Sequence, residues 1–244
     1  MRVGPGADFE PLGIRRGMNV FVLTGAGISA ESGVRTFRDA NGLWEQHRVE
    51  DVATPEGFER DPRLVWRFYS DRRRQLPQVR PNAAHFALAE LEKVLGEGLF
   101  LCTQNVDPLH ERAGSRRVHH MHGELLKTRC SLCGAPPFAD EAAYEEPPRC
   151  ECGGLLRPDV IWFGEIPIGL SEIGDAVTAC DLFLTVGSSG AVYPAAGLVA
   201  QARAAGSAQT VYLGLERPEN AAAFDECRLG PAGELLPSLF RYED

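Results

Sequence analysis

Apolar residues in this chain fall into short continuous runs, separated by stretches in which they recur at helical spacing. Asn19-Val20-Phe21-Val22-Leu23-Thr24 is a short apolar run that stops at glycine, which predicts a buried strand over 19–24. Residues 25–33 then turn into the start of a helix. Residues 34–60 are polar and irregular and predict no second strand. Asp61-Pro62 has the composition of an N-cap followed by a first helical residue, so a helix is expected to about residue 76, ended by Pro77 and Pro81. Asn82 caps the next helix, whose Phe86, Leu88, Leu91, Val94 and Leu95 recur with helical period until Gly96 and Gly98.

Further strands are expected over 99–103 and 118–121, with a short helix from Asp107-Pro108 to Gly114 between them. Residues 123–158 break the pattern with four cysteines and several prolines, and read as a small insertion carrying its own staple. Alternation then resumes: strand 160–163, helix 171–180, strand 182–186, helix 194–205 closed by Gly206, strand 210–215 and a last helix over 231–240. Strands alternating with helices of this length imply an α/β fold with a doubly wound parallel sheet.

Composition narrows the function. The 244 residues carry 25 Lys and Arg against 34 Asp and Glu, a net charge of −9. This disfavours general binding to nucleic acid or an anionic membrane, which needs surplus cations. No apolar run approaches the ~18 residues of a membrane span. Residues 1–17 hold no apolar block of a secretory signal, so the expected location is cytoplasmic. Seven cysteines, an odd number with four clustered, point to metal in a reducing compartment rather than to disulfides.

Five constellations carry candidate chemistry. Gly25-Ala26-Gly27-Ile28-Ser29-Ala30 follows a strand and fits a dinucleotide turn, where glycine lets the backbone approach a pyrophosphate. A tight strand-to-helix turn is the plain alternative, and the preceding strand favours the nucleotide. A dehydrogenase would next show a second strand ending in an acidic residue; here Arg35-Thr36-Phe37-Arg38-Asp39 runs on into Gly42-Leu43-Trp44. Cys130-x2-Cys133 and Cys150-x-Cys152 pair thiols on tight turns, a pattern for one structural Zn²⁺ with no open coordination position. Gln104-Asn105-Val106-Asp107 lies at a strand's carboxyl end, where α/β proteins bind ligands, although Asp107 also suits an N-cap. His119-His120-Met121-His122 offers imidazoles titrating near neutrality, and strict alternation would place His120 and His122 on one face. Tyr69 and Arg72, three apart on a helix, could receive a small carboxylate; with Arg73 and Arg74 following, a solvated basic stretch is the plainer reading.

Taken in order, Gly25-Ala26-Gly27-Ile28-Ser29, Gln104-Asn105-Val106-Asp107, His122-Gly123, the paired cysteines, Val160-Ile161-Trp162-Phe163-Gly164-Glu165 and Gly187-Ser188-Ser189 resemble the sirtuin family. Within it they are similar to the bacterial CobB-type class that removes acidic acyl groups. The resemblance implies an NAD-dependent protein-lysine deacylase acting on acylated lysine of protein substrates. Its single catalytic domain would have a large Rossmann-like part at about 1–35, 84–122 and 159–244. A small module would comprise a helical piece at 36–83 and a zinc-binding piece at 123–158.

NAD would be consumed rather than reduced, giving nicotinamide and O-acyl-ADP-ribose, with His122 as general base. The resemblance assigns cofactor contacts to Gly25, Ala26, Gly27, Ile28, Ser29, Glu31, Thr36, Phe37, Arg38, Trp44, Gln104, Asn105, Val106, Asp107, Gly187, Ser188, Ser189, Gly214, Leu215, Glu216 and Ala232. It assigns the acyl pocket to Ala53, Tyr69 and Arg72, the peptide wall to Val160, Phe163 and Gly164, and zinc to Cys130, Cys133, Cys150 and Cys152. Succinyl-lysine is then expected as a substrate, with malonyl- and glutaryl-lysine beside it and acetyl-lysine also accepted. A plain deacetylase and a non-catalytic NAD or ADP-ribose sensor remain the alternatives. Gly214 departs from the family's usual Asn, a lost contact expected to cost about 1 kcal/mol of cofactor affinity. Ser188 replaces the more common Thr and keeps the hydroxyl.

Overall fold

The computed structural model describes residues 9–34, 43–44, 47–206 and 208–243. Six strands, all parallel, form the main sheet in the spatial order Glu226–Leu229, Gln209–Gly214, Leu182–Val186, Val20–Thr24, Leu99–Thr103, Val118–His120. The chain winds outward from Val20–Thr24 to one edge. It then returns beside that strand and winds to the other edge. The reversal between Val20–Thr24 and Leu182–Val186 is the switch point at which doubly wound sheets bind ligands.

Both faces of the sheet are covered, which is why its inner strands read as unbroken apolar runs. Val20 and Val22 face the helix Ala83–Leu95 through Leu88, Leu91 and Leu95. Phe21 and Leu23 face the helices Leu170–Ala179 and Leu198–Ala205 through Ile173, Val177 and Val199. The Phe21 ring stacks on Phe100 and Phe183 at 5.4 and 5.2 Å. No helix among the described residues is long and apolar enough to cross a membrane.

The expected strand over 160–163 does not join this sheet. Its place is taken by Leu156–Val160, which pairs antiparallel with Gly123–Cys130 in a separate three-stranded sheet. Residues 161–164 leave that sheet as irregular chain, so the apolar run marked a buried segment but not its partner. The segment read as irregular contains the helices Val49–Val52 and Pro55–Arg60. The second starts at Thr54-Pro55, a cap-and-proline signal like Asp61-Pro62, with the Thr54 hydroxyl accepting from Gly57 N at 3.0 Å. The final helix is shorter than expected, Ala232–Leu235, and the chain ends in Phe240–Glu243 paired parallel with Leu12–Arg15.

The helix Pro62–Gln75 locks onto the cysteine-bearing sheet. Trp66 donates its indole N–H to Leu156 O at 2.8 Å. Arg73 is buried and donates to the carbonyls of Leu125, Lys127 and Ala142 and to Thr128 and Asp140. Tyr69, Arg72 and Arg73 are all buried. The solvated-stretch reading of this segment therefore fails, because the helix presents these side chains inward.

Candidate active site

A cleft of about 360 Å³ opens at the switch point. Its floor is backbone on backbone. Gly25 N donates to Val186 O at 2.9 Å and Gly27 N to Gly187 O at 2.8 Å. A Cβ on Gly27 would stand 2.7 Å from Gly187 Cα, and one on Gly25 2.8 Å from Ser188 Cα. Gly187 has φ of +65° and has room for no side chain, since its Cβ would lie 2.5 Å from Ile28 N. These three glycines leave a concave floor of main chain, the surface a dinucleotide needs.

Of the residues expected at the cofactor, Gly25, Ala26, Gly27, Ser29, Gln104, Asn105, Val106, Asp107, Gly187, Ser188, Ser189, Gly214, Leu215 and Ala232 line this cleft. Ile28 is buried in the core beneath it. Glu31 stands at the surface and accepts from Gly233 N at 3.1 Å. Glu216 is not on the lining, although its carbonyl accepts from Tyr212 at the cleft. Thr36, Phe37 and Arg38 lie outside the described residues, and Trp44 is described only as backbone of the strand Leu43–Trp44.

Polar side chains knit the floor together. Gln104 Nε2 donates to Ser188 Oγ at 2.9 Å, tying two strand ends across the switch point. Asn105 Nδ2 donates to Gly25 O and to Ser29 Oγ, both at 3.1 Å. Asp107 is held by Leu109 N at 3.1 Å and by the Ser29 hydroxyl, and burial pushes its carboxyl above the usual range.

His122 lines the same cleft. Its Nδ1 stands 3.1 Å from Gln104 O, which places the ring proton on Nδ1 and makes Nε2 the basic nitrogen. Burial lowers its pKa, so the ring is neutral at pH 7. His120 does not share this face as alternation suggested. The strand ends at His120, whose ring turns inward to Asn105 O at 3.0 Å and Glu111 Oε1 at 2.8 Å.

Ala53 and Tyr69 meet the cleft from the helical side. Tyr69 is fully buried, its hydroxyl accepts from Trp162 Nε1 at 2.9 Å, and burial pushes its pKa up to about 12, so it stays a neutral phenol. Arg72 lies one turn along, stacked 3.3 Å over the Phe68 ring and bonded to Phe68 O at 2.7 Å. It does not line the cleft, yet its charge acts on the Tyr69 hydroxyl. Val160, Phe163 and Gly164 also line the cleft, next to Ala53. Phe163 N donates to Ala53 O at 3.0 Å, and its ring is half exposed.

Several lining residues were not anticipated, among them Val34, Val192, Tyr193 and Tyr212. Trp162 and Glu165, quoted above only as part of a motif, also line it. Glu165 clamps the wall by accepting from Arg157 at 2.7 and 2.9 Å and from Trp162 N at 2.7 Å. For Tyr212 a signal did exist, since it shares a strand face with Gly214.

The four cysteine sulfurs lie within 4.8 Å of one another. Cys130 and Cys152 Sγ are 3.5 Å apart, and Cys133 and Cys150 Sγ 3.8 Å. A tetrahedral Zn²⁺ with bonds of about 2.3 Å requires sulfur separations of about 3.8 Å, so the donors fit zinc. The amides of Leu132 and Cys133 point at Cys130 Sγ and favour its thiolate. Gly154 leaves room here, since a Cβ on it would stand 2.7 Å from Leu132 Cβ and 3.0 Å from that sulfur.

The Sir2 family model matches residues 25–194. An NAD-dependent protein deacylase of Yersinia pestis is 56% identical over 226 residues, covering 91% of this chain and 81% of its own length. One of Escherichia coli K12 is 55% identical over 226 residues, covering 90% and 80%. A solved Sir2 homologue in complex with NAD superposes with a TM-score of 0.83 at 40% identity, covering 91% of this chain and 87% of that one. Another Sir2 structure, holding a deacetylated peptide and 3′-O-acetyl ADP-ribose, superposes at 0.79 with 29% identity, covering 90% and 91%. Fold, glycine floor, cysteine cluster and these matches agree: the chain belongs to the Sir2 family, the sirtuins.

Proposed function

We propose that the protein is an NAD-dependent protein-lysine deacylase with a preference for acidic acyl groups. The general activity is supported by relatives at 55–56% identity that bear that name. NAD supplies a glycosidic bond whose cleavage frees nicotinamide and leaves a ribose carbon able to accept the acyl oxygen. The chain supplies the rest. Gly25, Gly27 and Gly187 hold the phosphates against backbone, and Asn105, Ser29 and Asp107 form the hydrogen-bonded wall beside the base. His122, neutral and with Nε2 basic, takes the ribose hydroxyl proton as that oxygen captures the acyl carbon. Water completes the reaction, giving free lysine and O-acyl-ADP-ribose.

The single observation that carries the acyl preference is the buried Tyr69 on the cleft lining, with the Arg72 charge acting on its hydroxyl and the small side chain of Ala53 on the same lining. A neutral phenol is a hydrogen-bond donor that suits a carboxylate, and a nearby guanidinium favours that charge.

The test is a competition between succinyl- and acetyl-lysine versions of one peptide, read as kcat/KM. Succinyl-lysine is expected to win. Tyr69→Phe with Arg72→Met should lose about 10²-fold on the succinyl peptide, the value of one or two hydrogen bonds to charge, and stay within about threefold on the acetyl peptide. Equal loss on both peptides would remove this pocket assignment and leave a plain deacetylase.

A further inference from the structure

The cleft lining contains a tyrosine to which no role has yet been given. Tyr212 and Gly214 stand two apart in the strand Gln209–Gly214, so their side chains share a face. Tyr212 is buried, with its ring against Phe224 at 5.6 Å, and its hydroxyl reaches the cleft to donate to Glu216 O at 3.0 Å. A Cβ built on Gly214 would stand 2.3 Å from the Tyr212 hydroxyl and 2.8 Å from Cζ. Gly214 is not among the glycines of positive φ, so space, not backbone torsion, demands glycine here. The phenol tip occupies the volume where any side chain at 214 would begin.

We propose that Tyr212 is a positioning residue for the dinucleotide: its hydroxyl closes the 214–216 bend against the cleft and stands in for the side chain that Gly214 lacks. The inference rests on the NAD-binding reading above. Two consequences follow from the packing. Tyr212 and Gly214 form one unit, so neither can be changed alone without cost. Leu215, largely exposed on the cleft wall, takes its place from that bend and not from packing of its own.

The test is calorimetric titration with ADP-ribose alone, alongside melting temperatures and steady-state constants. Tyr212→Phe is expected to weaken ADP-ribose binding about fivefold, the value of one hydrogen bond. The KM for NAD should rise with it, while the KM for the acyl peptide stays unchanged and kcat stays within about twofold. Gly214→Ala should weaken binding about tenfold or more by driving the phenol from its bond. In a Tyr212→Leu background the same Gly214→Ala change should alter affinity by less than about twofold, since the obstructing ring is gone. Gly214→Ala binding as tightly as the parent, or a melting temperature that falls with no change in affinity, overturns the proposal and leaves the cofactor reading intact. A parent protein that binds neither ADP-ribose nor NAD overturns the cofactor reading itself.

Discussion

His122→Ala is expected to lower kcat with an acyl peptide by about 10²–10⁴-fold, the usual contribution of a positioned base, while ADP-ribose binds with unchanged affinity. The ring lines the cleft and takes no part in the backbone contacts of the glycine floor proposed to hold the dinucleotide. The contact of Nδ1 with Gln104 O orients the imidazole without charging it. Because burial lowers its pKa, the base stays deprotonated to a pH below the ordinary histidine midpoint of ~6.5. The acid limb of activity should therefore centre below ~6.5. His122→Asn, similar in size but unable to take a proton, should remove turnover as alanine does. Loss of ADP-ribose binding in either variant would mean that the ring shapes the floor instead.

Removal of the metal should be the most damaging change to the structure. Dialysis against a strong chelator, or Cys150→Ser, is expected to release one Zn²⁺ per chain, measured by metal analysis, and to abolish most activity. Structural zinc sites of four cysteines contribute on the order of 10–16 kcal/mol of binding energy that is also folding energy. Around the metal itself Leu132 and Phe138 face solvent, and Cys130 and Cys150 pack at the edge of the apolar cluster that joins the module to the helix Pro62–Gln75. The damage should reach the cleft, because the strand Leu156–Val160 leads directly into Phe163 and Glu165 on the cleft wall. The KM for the acyl peptide should suffer first. The parallel sheet, with its own two apolar layers, should keep its far-ultraviolet signature. Full activity in a metal-free protein would contradict this view of the module.

The chemistry was most legible in the sequence where few residue types can do the job. Gly25, Gly27 and Gly187 are required by contacts under 3 Å to neighbouring backbone, and only glycine supplies them. The cysteine spacing carried its own meaning, since four sulfurs on two turns have few other uses. What stayed hidden was long-range partnership. The apolar run at 160–163 gave no sign that the strand ends at Val160 and pairs with Gly123–Cys130. The pairing of Leu12–Arg15 with Phe240–Glu243 joins the two ends of the described chain, and no local pattern encodes it. Basic side chains next to Tyr69 looked like surface, yet Arg73 is buried because five groups of the cysteine module receive its N–H donors. Gly214 read as a lost contact, and only the Tyr212 hydroxyl lying where its Cβ would be shows what replaced it.

Everything above depends on the coenzyme being spent in removing the acyl group. The direct test incubates the protein with NAD and a succinyl-lysine peptide and counts products by mass spectrometry. One nicotinamide and one O-succinyl-ADP-ribose should form for each lysine freed, with no free succinate at early times. Succinate released while NAD remains intact, or nicotinamide released with the peptide unchanged, would contradict the account.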